Sequence, residues 1–106
     1  MRLLIIAALF CGAAHAEFID GNRLLSDLKS ADAFERGIAM GYILGIADRG
    51  RSVTNCMPAN VTAGQLQDMV RQHLELFPGA RHYTGDVIVS YVLSQAWPCP
   101  KKGTSL

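Results

Sequence analysis

The chain has 106 residues, 50% of them hydrophobic, with 10 Lys and Arg against 9 Asp and Glu. A chain of this length can bury one modest core. So even a charge balance leaves no surplus of cations for phosphate contacts, which argues against a nucleic-acid binder.

The first segment reads as a leader rather than as part of a fold. Met1-Arg2 brings one positive charge, Leu3 to Ala14 is apolar and uncharged, and Ala14-His15-Ala16 offers a small-x-small cleavage site before Glu17. That is the pattern of a secretory signal peptide over 1–16. Phe10 precedes Cys11 where a lipoprotein signal needs a small residue, so a lipid anchor is not expected. Nothing later in the chain is long and apolar enough to span a bilayer. The expected product is periplasmic and not membrane-embedded, with one helical domain over 17–100 and a flexible tail over 101–106. Losing Arg2 takes the 10 basic residues to 9, equal to the 9 acidic ones.

The mature chain reads as an all-α, small four-helix bundle. Asp20 is a suitable N-cap for a first helix that carries Leu24, Leu25 and Leu28 on one side. After the short Lys29-Ser30-Ala31 link, Asp32 caps a central helix within the stretch from Ala33 to Val53. There Gly37, Gly41 and Gly45 recur at steps of four, as do Phe34, Ile38, Tyr42 and Ile46, so each set shares a helix face. Each glycine costs an isolated helix about 1 kcal/mol relative to alanine, so packing has to favour them. The expectation is helix packing within the bundle, another helix crossing tightly over Gly37, Gly41 and Gly45. A seam in a homodimer is the alternative. A membrane span is not, because the uncharged run between Arg36 and Asp48 is about half the length a bilayer needs.

Thr54 to Asn60 is rich in turn formers and contains Pro58. Thr62 and Gln65 then form a T-x-x-Q capping box. Leu66, Met69, Val70, His73, Leu74 and Phe77 follow at helical spacing until Pro78-Gly79. A last helix begins near Thr84, with Asp86 favourable in its first turn. It carries Val87, Ile88, Tyr91, Val92, Ala96 and Trp97 as its apolar set, and Pro98 and Pro100 stop it.

Once Cys11 leaves with the leader, Cys56 and Cys99 remain of the 3 cysteines. An even count in a small exported domain reads as a disulfide. Closing a loop of about 43 residues contributes up to roughly 4 kcal/mol in the chain-entropy model. A redox or metal pair is the poorer reading, because neither cysteine sits in a CxxC and no further ligands cluster nearby.

Catalytic chemistry is not expected. A nucleophile needs a base held by a third group. The two mature histidines, His73 and His82, fall on separate elements without zinc-ligand spacing. The glycines lie inside a helix, whereas a phosphate cradle needs them before one. No cofactor and no metal is implied, and binding is the expected mode of action. The loops Asp48-Arg49-Gly50-Arg51 and Arg81-His82-Tyr83 hold the residue types common at interfaces. Arg49, Arg51, Arg81, His82 and Tyr83 are therefore the candidate partner contacts, with ordinary surface charge as the alternative for each.

Several segments, in order and at similar intervals over nearly the whole mature chain, resemble the Rap/Tai-type family of type VI secretion amidase immunity proteins. They are Gly21-Asn22-Arg23-Leu24-Leu25, the run Gly41 to Asp48, Cys56-Met57-Pro58 leading into Val61 to Leu66, Phe77-Pro78, Arg81-His82 and Ala96-Trp97-Pro98-Cys99. The resemblance implies a small periplasmic helical protein, often a homodimer, that binds a secreted peptidoglycan amidase effector and blocks its active site. Members often carry a second cysteine pair, at positions that correspond here to Leu28 and Ala39. An apolar contact is expected to replace that bridge. A small periplasmic acid chaperone, or a non-enzymatic subunit of an envelope or phage-derived assembly, is the alternative function. The chaperone reading would draw on protonation of a buried neutral His73.

Overall fold

The computed structural model describes residues 18–101. The expected leader, 1–16, lies outside them, as does all of the expected tail except Lys101. Among the described residues four α-helices follow in order: α1 (Gly21–Leu28), α2 (Ala33–Gly50), α3 (Ala63–Leu76) and α4 (Gly85–Ala96), with a 3-10 turn at Pro78–Ala80 before α4. All six helix pairs are in contact. The architecture is the all-α four-helix bundle that the spacing of apolar residues predicts.

The first three helices each start at a side-chain cap. The Asp20 carboxylate accepts from the Arg23 amide at 2.8 Å, and the Asp32 carboxylate accepts from the Phe34 amide at 2.9 Å. The capping box of α3 is complete: the Thr62 hydroxyl accepts from the Gln65 amide at 3.2 Å, and the Gln65 side chain accepts from the Thr62 amide at 2.8 Å. These side chains satisfy backbone donors that the first turn leaves without partners.

The core is built from one stripe of each helix: Leu24 and Leu28 of α1, Ala39, Ile43 and Ala47 of α2, Leu66, Val70 and Leu74 of α3, and Ile88, Val89, Val92 and Leu93 of α4. Leu28 and Ala39, the pair expected in place of a second bridge, are both buried in this core. Asp27 is the charged side chain at its edge, only 3% exposed. Arg23 donates from Nε to both of its carboxylate oxygens, at 3.1 and 3.0 Å, one helical turn away. That pairing offsets the desolvation of a buried acid.

The glycines of α2 do not pack as expected. Gly37, Gly41 and Gly45 are exposed, and no atom lies within 4 Å of where a Cβ on any of them would stand. The buried stripe is instead Ala39, Ile43, Ala47 and Gly50. Two residues along a helix rotate by about 200°, so the two rows fall on nearly opposite sides. The step of four correctly puts the glycines on one face, but that face points to solvent. The tight glycine contacts occur elsewhere. A Cβ on Gly21 would stand 2.7 Å from the Arg81 Cα, and one on Gly85 would stand 2.7 Å from the Tyr42 ring.

α2 ends at Gly50, earlier than the expected stretch to Val53, because the chain turns sharply there. The Gly50 carbonyl accepts from the amides of Val53, Thr54 and Asn55 at 2.9, 2.8 and 3.2 Å. Ser52 takes a φ of 64° within that turn. Asn55, 1% exposed, donates to the Ala47 carbonyl at 3.5 Å and accepts from the Met57 amide at 3.3 Å. The following residue joins the Cys56–Cys99 disulfide, and its amide donates to the Trp97 carbonyl at 2.8 Å. This clasp ties the α2–α3 connection to the end of α4.

Replacing both cysteines by serine is expected to lower unfolding stability by about 2–4 kcal/mol in urea titrations while helical circular dichroism persists. The glycines should separate into two classes. Gly21→Ala is expected to cost about 1–3 kcal/mol by overpacking against the Arg81 backbone. Gly41→Ala in dilute solution should gain up to about 1 kcal/mol from helix propensity. Equal effects at the two positions would contradict the placement described.

Candidate functional site

α3 and α4 pack at their buried stripes and splay apart above them, leaving an open groove of about 1080 Å³. Met69, His73 and Leu76 form one wall, Val87 and Tyr91 the other, and Phe77 and Tyr83 close one end. None of the residues lining it is Asp, Glu, Lys or Arg. Five large apolar side chains along it remain exposed: Leu76 at 71%, Phe77 at 54%, and Tyr83, Val87 and Tyr91 at 53% each. Water is shed from such a surface when a partner covers it.

The His73 ring lies between two aromatic neighbours, with centroids 4.9 Å from Phe77 and 5.6 Å from Tyr91. Desolvation in this apolar setting pushes its pKa below the ordinary histidine value, so the imidazole is neutral at neutral pH. On the far side of the helix, Tyr42 lies over Gly85 and has its pKa raised, first by burial and then by the charge of Asp86. Among the described residues, no three His, Cys, Asp or Glu side chains come together to hold a metal ion.

The structure divides the five predicted contact residues among different tasks. The His82 and Tyr83 rings pack in a tilted pair, centroids 4.2 Å apart; both are exposed, and Tyr83 lines the groove. Arg81 turns inward instead. Its Nε donates to the Leu74 carbonyl at 2.7 Å, where the end of α3 leaves acceptors free, and its own carbonyl accepts from the Asn22 amide at 3.0 Å. Arg49, in the last turn of α2, and Arg51, just past its end, are exposed, and Arg49 lines a smaller hollow of about 560 Å³ with Tyr42 and Asp86. The first turn of α4 lies between the two places, with Asp86 on the Arg49 side and Val87 on the groove side. The two predicted loops therefore do not form one continuous patch.

Leu76, Val87 and Tyr91 were not among the expected contacts. Helical spacing puts Val87, Ile88, Tyr91 and Val92 in the apolar set of α4; the structure buries Ile88 and Val92 of these, adds Val89 and Leu93, and leaves Val87 and Tyr91 exposed. The signal was present in the breadth of that set. Apolar residues at 87, 88, 89, 91, 92 and 93 surround more of the helix than one core-facing stripe needs.

The family described as Rap1a immunity proteins matches residues 20–99, from the N-cap of α1 to the second cysteine of the bridge. The chain belongs to the Rap1a immunity protein family. No curated protein matches it by sequence. As a Rap1a immunity protein it is a binder of a toxin partner, and the uncharged groove is an open apolar surface on it.

The groove histidine gives stability a pH dependence with a defined sign. A histidine whose folded pKa is lowered binds its proton more readily when unfolded. Its contribution is intact above the unfolded value of about 6.5 and is lost as pH falls from there through the folded value. Urea midpoints should decline between pH 7.5 and 5, and His73→Leu should flatten that part of the curve. A midpoint that rises on acidification in the wild-type chain, and not in the variant, would contradict a desolvated imidazole.

Proposed function

We propose that this chain is a periplasmic immunity protein that neutralises a secreted peptidoglycan amidase toxin of a type VI system by occluding its active site. The observation that carries the reading is the family match, which spans all four helices and both cysteines. In this account residues 1–16 direct export and are cleaved after Ala16, leaving Glu17 to Pro100 as the working domain. The Cys56–Cys99 bridge supports an oxidising compartment, which the periplasm provides.

The chain acts by stoichiometric binding and performs no reaction. An amidase that cuts peptidoglycan must keep a cleft open to a peptide-bearing polymer, and a rigid projection can fill that cleft. The Arg81-His82-Tyr83 segment is suited to this. Its backbone is fastened to α1, Arg81 braces it against α3, and His82 and Tyr83 are left outside. A loop ordered before binding loses little conformational entropy on docking. Tyr83, Phe77 and Tyr91 supply the large apolar anchors, and burying aromatic side chains in fully desolvated pockets dominates binding energy. Arg49 and Arg51 stand on the other side of α4's first turn and would contact the rim of the toxin only if it is broad enough to reach them.

The oxidised mature chain, mixed with the product of the gene beside its own, is expected to form a stable complex and abolish peptidoglycan amide hydrolysis at one protomer per enzyme. Tyr83→Ala should weaken inhibition about tenfold or more without changing thermal unfolding. Amidase activity untouched by excess chain would reject the proposal.

A further inference from the structure

The groove between α3 and α4 is apolar on both walls, and its polar side chains are few. Besides the tyrosines they are Gln72, Gln95 and His73. Of these types only histidine changes charge between pH 5 and 8. Phenols stay neutral over that range.

No carboxylate is at hand to pair with an imidazolium in this place. On α3 itself, Arg71 takes Asp68 and Glu75, at 3.4 and 3.9 Å, and Lys29 of α1 reaches Glu75 at 3.7 Å. Asp86, the one acid of α4, lines the other hollow with Tyr42 and Arg49. Between α3 and α4, Arg81 is held by the Leu74 carbonyl, and His82 packs on Tyr83 without lining the groove. Neither α1 nor α2 contributes a residue to the lining. The His73 ring meets Phe77 and Tyr91 instead, at 4.9 and 5.6 Å between centroids.

A partner that covers such a lining must match it in charge, because an ion buried there would lose its water and gain no counter-ion. We propose that the groove receives an uncharged apolar segment of the toxin, and that this binding excludes a proton from His73. The identity of the partner rests on the immunity reading above; the proton linkage rests on the groove alone. Whatever covers Phe77 and Tyr91 also covers the imidazole between them. A covered imidazolium would face apolar groups on every side, so the bound chain holds His73 neutral.

The free chain already shows the effect in part, since desolvation lowers the pKa of His73 before any partner arrives. Protons and partner therefore compete for one groove. Binding is at full strength above the free chain's histidine value and weakens as pH falls through it. A segment that set a carboxylate against His73 would give the opposite sign.

The test uses the oxidised chain alone and Nile red, an uncharged apolar dye, so its outcome is separate from that of the immunity proposal. Fluorescence titrations should give a dissociation constant that rises about threefold or more from pH 7.5 to 5, with helical circular dichroism unchanged. A histidine at its ordinary value of about 6.5 sets a ceiling of about thirtyfold. His73→Leu should bind with one constant at both pH values, and Tyr91→Ala should weaken binding at both. A dye that does not bind, a constant indifferent to pH, or an equal change in His73→Leu would overturn the inference. Calorimetry of the toxin complex should show the same loss on acidification, again abolished by His73→Leu. A complex that tightens through His73 as pH falls would overturn the uncharged segment. Failure to form any complex would count against the immunity reading, and the dye titration would still decide the proton linkage.

Discussion

Three backbone hydrogen bonds hold the entry of α1 against the entry of α4, and much of the molecule depends on them. Gly85 donates to the Ile19 carbonyl at 2.7 Å, Gly21 to that of Tyr83 at 3.0 Å, and Asn22 to that of Arg81 at 3.0 Å. Helix starts carry donors with no partner inside the helix, and here two such helix starts are satisfied by the chain that leads into the other helix. The approach is close enough that only glycine fits at 21. Because the clasp fixes the backbone of residues 81–85, the Tyr83 side chain has a defined place in the groove, with His82 packed against it. The Cys56–Cys99 bridge does the same at the opposite end of α4.

How much of this was legible follows from which interactions are local. The Asp32 cap and the Thr62–Gln65 box act over two or three residues, so their chemistry is visible in the sequence. The pairing of Cys56 with Cys99 was legible by elimination, since the expected leader takes Cys11 and leaves two. The direction in which a face points is not local. Gly37, Gly41 and Gly45 share a side of α2 by periodicity, but whether that side meets another helix depends on where α1, α3 and α4 settle. The row that meets them lies on nearly the opposite side, in Ala39, Ile43 and Ala47, whose small and medium side chains let the neighbouring helices in.

The groove was harder to read for a related reason. α4 is apolar on more than one side, and spacing alone cannot say which apolar residues the bundle will cover. The ones left over, Val87 and Tyr91, meet Leu76 and Phe77 from the end of α3 and make a surface that no single helix contains. Arg81 shows the reverse case. Its sequence context suggests an exposed contact, yet the free carbonyl of Leu74 captures it. Long side chains near a helix C-terminus are as readily used by the fold as by a partner.

These elements combine into a bundle that leaves two separate surfaces open, an uncharged groove on α3 and α4 and a glycine-lined face on α2. The central claim is that the chain protects a cell from an amidase outside the cytoplasm. Growth of cells that export the amidase encoded beside it tests this most directly. With the full chain co-expressed, cells should survive. With residues 2–16 deleted, so that the same bundle stays in the cytoplasm, they should lyse. Lysis in both cases, or survival without the leader, would contradict the account.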